Sequence, residues 1–351
     1  MIEKNKLNEI REHLENSQNP LFFFDNDVDG LCSFLILRRA IERGKGVAIK
    51  SFPDLNKQYL RKVNELNPDY VFILDKPRVS EEFIEGVCKK NLPLIWIDHH
   101  DVEIDERLFK KISYYNSCPS SEPTSYIAQK IFNRKEDIWL AMIGCIADVY
   151  IPEFSKDFAE KYPELLPTTN LSAFDILYTT ELGKIIRIID FGMKDTTTNL
   201  LNLIRILIKS TSPYDILEEN PKTRHLHYQY NKINRIYKKL ITKAESQANP
   251  EDKFIIFTYG GNMSISSEIA NALFYKNQDK LIVVCYKNQR YGKVNVSMRG
   301  KNAKKITEKI VSKISGASGG GHEEATGAVI PEEKFEEFKK ELKNYFFEAS
   351  R

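Results

Sequence analysis

Little in this sequence points to a secreted or membrane-embedded protein. Its 351 residues include only five cysteines, Cys32, Cys88, Cys118, Cys145 and Cys285. They are scattered, without the spacing of a thiolate metal site or a disulfide framework. Four lie in or beside apolar stretches, where reduced core thiols are expected. No apolar run approaches the roughly 20 residues that cross a bilayer, so no membrane association is expected. The start, Met1 to Asn19, is charged and amphipathic, which does not fit a signal peptide and places the protein in the cytoplasm. There is no internal repeat and no low-complexity tract. The net charge of +3 is too small to argue for or against a nucleic-acid partner.

What is present is a recurring pattern: a short apolar run that ends in acids. Phe22-Phe23-Phe24 leads into Asp25-Asn26-Asp27-Val28-Asp29-Gly30, Tyr70 to Leu74 leads into Asp75, and Leu92 to Ile97 leads into Asp98-His99-His100. Short apolar runs bounded by polar residues are the mark of fully buried strands. In open parallel sheets ligands bind beyond the carboxyl ends of the strands. Three strands would thus deliver carboxylates and imidazoles to one sheet edge. Such groups repel and are poorly solvated there unless a cation joins them. An oxygen-rich set with an added imidazole suits Mn²⁺ or Mg²⁺ better than a thiolate-type zinc site. The chain therefore reads as a divalent-metal hydrolase.

The chain is long enough for two domains. Its first part alternates strands (21–24, 46–52, 70–74, 92–97) with helices (31–43, 55–67, 80–90), the rhythm of βαβ units and a parallel sheet. Helices are expected at 125–132, 138–147, 172–189 and 198–208, with an irregular cover or short helices over 150–166. After Pro250 a second α/β unit is expected, with strands at 254–258, 281–286, 293–298 and 327–330 and helices at 266–274, 303–314 and 334–347. The boundaries drawn are 1–190 for the metal-bearing domain, 191–250 for a helical connector and 251–351 for the second domain. Within the connector the stretch Lys222 to Lys243 carries Lys222, Arg224, Lys232, Arg235, Lys238, Lys239 and Lys243, interleaved with Tyr228, Tyr230 and Tyr237 and without an acid. Basic residues with aromatics can follow a phosphate backbone and stack bases. The same pattern fits a solvated linking helix equally well. His225 and His227 are read as surface residues, as are Asp101 and Asp105.

Taken in order, the motifs resemble the DHH phosphoesterase superfamily. Asp25-x-Asp27-x-Asp29-Gly30 stands for its first motif, Asp75 for the second, Asp98-His99-His100 for the third, and Asp148 after an apolar helix for the fourth. The tail resembles its DHH-associated domain, through Ser297-Met298-Arg299 and Gly319-Gly320-Gly321-His322. Five motifs in order, over residues 20–331, are specific where a lone Asp-His-His is not. Members that hydrolyse pyrophosphate or short oligonucleotides usually carry a histidine two residues before the place of Asp25, where this chain has Phe23. The triple aspartate and the glycine-rich tail instead resemble the RecJ branch of single-strand-specific exonucleases, above all its compact archaeal type, which lacks an oligonucleotide-binding barrel.

The resemblance implies an α/β fold, a parallel-sheet DHH domain plus a smaller α/β C-terminal domain joined by a helical connector. It implies two Mn²⁺ (or Mg²⁺) ions, one on Asp25 and Asp27, the other on Asp29, His99 and Asp148, with Asp75 bridging. Asp98 would orient a ligand imidazole and His100 would serve the scissile phosphate. Ser297, Arg299, Gly319, Gly320, Gly321 and His322 would bind substrate, the glycines forming a backbone nest for a phosphate. The implied activity is exonucleolytic hydrolysis of single-stranded DNA or RNA, in the 3′→5′ direction by analogy with the shorter archaeal relatives, with room for a helicase or replisome partner. The alternatives are a small-molecule phosphodiesterase acting on cyclic dinucleotides or very short oligonucleotides, and a replication scaffold. Scaffold relatives lose metal-ligand acids, which this chain keeps.

Overall fold

The computed structural model describes residues 2–50, 55–101, 105–167, 171–249, 251–288 and 290–348. They form two compact units, 1–230 and 231–351. In chain order the first contains α1 (Lys4–Asn16), β1 (Leu21–Asp25), α2 (Val28–Ile41), β2 (Lys45–Ile49), α3 (Leu60–Leu66), β3 (Val71–Leu74), α4 (Glu81–Cys88), β4 (Leu94–Asp98), α5 (Glu106–Phe109) and β5 (Ser113–Asn116). Helices α6 (Thr124–Phe132), α7 (Ile138–Ala147), α8 (Ser155–Lys161), α9 (Ala173–Thr179), α10 (Glu181–Met193), α11 (Thr197–Lys209) and α12 (Tyr214–Leu217) follow. Helix α13 (Arg224–Gln247) contains the boundary. The second unit continues with β6 (Phe254–Gly260), α14 (Ser266–Lys276), β7 (Leu281–Asn288), β8 (Lys293–Arg299), α15 (Ala303–Val311), β9 (Ser318–Gly321), β10 (Ala325–Pro331) and α16 (Phe335–Glu348).

The first sheet is parallel throughout, in the order β2-β1-β3-β4-β5. The expected α/β class is thus the one found. Strand β1 runs Leu-Phe-Phe-Phe without alternation because both its faces are buried. Phe23 joins Val71, Ile73, Trp96 and the α4 residues Phe83, Ile84 and Val87 in one core cluster. Phe24 stacks instead on Phe34 of α2, and Phe22 meets the same ring at a tilt. Each buried Phe contributes about 2–3 kcal/mol by removal from water. A sealed ion pair fixes the far end of α2. Arg39 Nε lies 2.6 Å from Asp137 Oδ1, Arg134 Nε lies 2.9 Å from Oδ2, and Arg39 also donates to the carbonyls of Leu207 and Ser210.

The second unit is built on a mixed sheet, β6-β7-β8-β10-β9, parallel only between β6 and β7. Its core gathers Val283, Cys285, Val296 and Met298 with Ile306 and Ile310 of α15 and Phe338 and Leu342 of α16.

Several boundaries differ from those read in the sequence. The helix expected at 31–43 begins three residues earlier, because the Asp27 side chain accepts from Gly30 N and caps it. The helix expected at 55–67 starts at Leu60, after a 3₁₀ turn at Lys57–Tyr59. The helix expected at 172–189 is two, broken at extended Thr180, whose hydroxyl accepts from Gly183 N and caps α10. Strand β5, with its pair Tyr114-Tyr115, was not foreseen. Strand β2 ends at Ile49, and Ser51 and Phe52 of the expected strand lie outside the described residues.

Candidate active site

Register brings the motif residues together. Phe24 pairs with Leu74, and Leu74 with Ile97, so the next residues, Asp25, Asp75 and Asp98, stand level across three adjacent strand ends. From β1 the chain moves outward one way to β2, and from β3 the other way to β4 and β5. The break between β1 and β3 is the topological switch point, where open α/β sheets bind ligands. Asp75 takes the left-handed conformation there, φ +60°, which an Asp tolerates better than most residues.

Asp27 and Asp29 arrive on the first turn of α2. That turn packs so closely on β1 that a Cβ at Gly30 would come within 2.6 Å of the Asp25 carbonyl oxygen, which explains the motif's glycine. Asp29 is buried and reaches the start of α6. It accepts from the backbone N–H groups of Thr124 (2.7 Å) and Ser125 (3.1 Å) and from the Ser125 hydroxyl. The positive end of that helix suits a carboxylate. Thr124 Oγ1 in turn donates to Asp75 (3.2 Å).

The two histidines have different partners. His99, buried, places Nε2 3.1 Å from Asp75 and Nδ1 3.6 Å from Asp148 at the end of α7. Asp98 is paired instead with His100, at 2.8 Å from its Nδ1. Of the two imidazoles, the pair thus orients His100. Asp148 precedes Val149, a β-branched residue at φ +58°, a strained conformation that costs of order 1–2 kcal/mol.

Negative charge is in excess here, and protonation reflects it. Burial and the neighbouring Asp27 and Asp29 push the Asp75 carboxyl far above the ordinary range. Burial, then Asp25 and Asp29, push Asp27 up to about 7. Asp27 itself keeps exposed surface, so its burial means crowding by protein rather than sealing from water. Burial alone would lower His99, but Asp148 and Asp75 outweigh it and raise it well above its usual value. Burial likewise would raise Asp98, but the charge of His100 outweighs it and lowers the carboxyl.

These residues fit a divalent cation. Asp29, Asp75 and His99, all buried, offer ligand atoms within 4.8 Å of one another, as do Asp75, Asp98 and His100. The second oxygen of Asp98, Oδ2, is buried without a hydrogen-bond partner. Hard oxygens with one or two imidazoles are the donor set of Mn²⁺ or Mg²⁺.

One functional group was missed in the sequence. Lys76, only 2% exposed, sets its ammonium 3.0 Å from Asp25 Oδ1, and its carbonyl accepts from the Trp96 indole (2.9 Å). A lysine directly after a strand-end aspartate was the available signal. Three other expectations need adjustment. His227 is buried, within 3.0 Å of the Ile216 carbonyl, rather than on the surface, whereas His225 is exposed beside Asp195. Of the tyrosines of α13, Tyr230 and Tyr237 are buried and Tyr228 is 62% exposed. Of the four thiols expected in the core, Cys32, Cys145 and Cys285 are buried but Cys88 is only half-buried; Cys118, outside the apolar stretches, is exposed.

In the second unit Ser297 Oγ donates to Ser266 Oγ (2.9 Å), and Arg299 Nε donates to Asn271 Oδ1 (2.5 Å). Gly319, Gly320 and Gly321 form the edge strand β9, paired with Ala328, Gly327 and Thr326. Gly319 and Gly320 are extended strand residues rather than a nest, and Gly321, at φ +143°, closes the strand in a conformation that favours glycine. His322 starts the turn into β10, its N–H donating to the Ala325 carbonyl (2.9 Å).

A parallel α/β sheet with acids and imidazoles at its switch point defines a metal-dependent hydrolase class, and sequence comparison narrows it. Residues 21–151 match the DHH family, N-terminal domain, and residues 251–348 match the DHHA1 domain. The chain belongs to the DHH family of phosphoesterases. No curated protein sequence matches it significantly. In fold it resembles RecJ of Thermus thermophilus in complex with Mn²⁺, with TM-score 0.72 and 17% identity over 97% of this chain and 54% of that one. It thus spans about half the length of that protein. An exonuclease RecJ bound to manganese gives TM-score 0.65 and 17% identity, over 98% of this chain and 94% of that one. CDC45 from Entamoeba histolytica gives 0.56 and 11%, over 96% and 98%. No helix among the described residues is long and apolar enough to cross a membrane.

Proposed function

We propose that this chain is a metal-dependent exonuclease that hydrolyses phosphodiester bonds of single-stranded DNA or RNA from a strand end, with 3′→5′ as the direction. The observation that carries the reading is the folding of the triple-aspartate segment onto Asp75, His99 and Asp148 at the switch point. The shared fold with RecJ proteins, seen with Mn²⁺ and with Mg²⁺, supports it.

In this reading Asp25 and Asp27 would hold one ion, Asp29, His99 and Asp148 would hold the other, and Asp75 would serve both. Two bound divalent ions supply Lewis acidity, making water a nucleophile near neutral pH and offsetting charge on the phosphoryl oxygens. Lys76 fixes the Asp25 carboxylate from one side. The amides of Thr124 and Ser125 hold Asp29. Asp98 keeps His100 oriented, and His100 serves the scissile phosphate by stabilising its charge or assisting proton transfer. Ser297, Arg299, Gly319, Gly320, Gly321 and His322 are assigned to substrate binding, where charge-assisted donors and close-approaching backbone suit a phosphate.

The test is digestion of end-labelled single-stranded DNA and RNA with Mn²⁺, beside a dinucleotide and with a chelator control. Stepwise shortening from one end is the expected result. Hydrolysis of the dinucleotide with intact longer strands would replace this reading with the small-molecule phosphodiesterase.

A further inference from the structure

Helix α13 shows a separation of side chains that its sequence alone leaves open. Within the second unit, Ile233, Tyr237 and Ala244 are buried. Lys232, Arg235, Lys239 and Lys243 are exposed, at spacings of three, four and four residues. At 3.6 residues per turn these four fall on one stripe, nearly opposite the buried side. With a rise of 1.5 Å per residue the stripe runs about 16 Å. Ile236, 46% exposed, borders it and adds an apolar surface among the cations.

None of the four cations has an ion pair among the described residues. Elsewhere the surface is arranged differently: Arg11 pairs with Glu15, Arg61 with Glu65, Lys184 with Glu181 and Lys334 with Glu337, each within about one helical turn. No acid occurs between Lys222 and Ala244, and the first one beyond, Glu245, is taken by Lys276 at 2.6 Å. Like charges one turn apart disfavour a helix. Here that unfavourable arrangement is kept uncompensated over three turns, on the exposed side only. A linear polyanion with regularly spaced single charges would neutralise it.

We infer that this stripe is a track for the phosphate backbone of single-stranded nucleic acid outside the reaction centre. The inference rests on the proposed polynucleotide substrate and deepens it by separating strand holding from bond cleavage.

The test compares wild type with a variant carrying Lys232→Gln, Arg235→Gln, Lys239→Gln and Lys243→Gln. A control variant neutralises Lys57, Lys62, Lys89 and Lys90, equally exposed cations of the other unit. All eight positions are exposed, so both variants fold. Binding of a 20-nucleotide single strand is measured with chelator across a salt series, and hydrolysis of a dinucleotide is measured with Mn²⁺. Each phosphate that the protein no longer neutralises should flatten the log–log salt slope by about 0.7. The stripe variant should bind at least tenfold more weakly at low salt, with a flatter slope, while the control variant and dinucleotide turnover stay near wild type. Equal weakening in both variants would reduce the effect to net charge and overturn the inference. Strong binding by wild type with no change in the stripe variant would overturn the track and leave the exonuclease reading standing. Failure of wild type to bind or cut the strand, with the dinucleotide still cut, would overturn both. Binding of wild type to phosphatidylserine vesicles but not to the strand would reassign the stripe to a membrane surface.

Discussion

Replacing Lys76 with methionine keeps most of the length of the side chain and removes its ammonium. Lys76 holds its ammonium 3.0 Å from Asp25 Oδ1. At an effective dielectric of about 20 a pair at that distance attracts by roughly 5 kcal/mol, before the cost of burying the ammonium. Removing one partner of a buried pair typically costs about 3–5 kcal/mol. The Asp25 side chain keeps 26% exposure, so water can replace part of the interaction and the low end, about 3 kcal/mol, is expected. For 351 residues, with an unfolding entropy of about 2.1 cal/mol/K each, that corresponds to a melting temperature roughly 4 °C lower with chelator present. With Mn²⁺ the sign should reverse in part, because the variant no longer sets a positive charge against an ion beside Asp25. Each tenfold gain in affinity adds about 1.4 kcal/mol of ligand-linked stability. Thermal unfolding followed by circular dichroism, with chelator and with a Mn²⁺ series, reads both effects. A variant that melts like wild type without metal and responds equally to Mn²⁺ would refute the argument that Lys76 is the counter-charge of this site.

Three further outcomes are expected. Asp75→Ala, which removes the residue touching both His99 and Thr124, should lower hydrolysis to under about one part in a hundred, judged by steady-state turnover, since in the proposed assignment Asp75 would serve both ions. Asp27, raised to about 7, and Asp75, also raised well above the ordinary range, hold protons when folded that they release when unfolded, so their stabilising contribution is present below about pH 4 and, for Asp27, lost as pH rises through about 7. Mn²⁺ must displace those protons, and calorimetric titration in two buffers should show proton release and an affinity that rises from about pH 6 to about pH 8. Arg39→Ala should cost about 3–5 kcal/mol in denaturant unfolding by leaving the sealed Asp137 short of a partner, with Mn²⁺ affinity unchanged.

Much of this protein was legible in its residues because the relevant signals are local. An unbroken apolar run such as Leu21 to Phe24 can only be a strand covered on both faces, and the acids that follow must then stand at its carboxyl end. The order of the motifs carried the family, and the apolar helix ending at Asp148 was placed in the same way. The basic, acid-free stretch announced a helix but not which of its tyrosines faced the core. That depended on packing against residues distant in sequence.

The pairings inside the site belong to the tertiary structure. Asp29 meets the start of a helix 95 residues away, while Asp27 does the capping of α2. Asp98 holds His100 because of the geometry of the chain leaving β4, a detail no spacing rule contains. Lys76 becomes a buried counter-charge only when β1 and β3 pair in a register that sets it beside Asp25. Strand identity follows from nearest-neighbour hydrophobicity, which each segment carries by itself. The partners of a charge follow from which strand ends the sheet brings level, and that is fixed only by the packing of the whole domain.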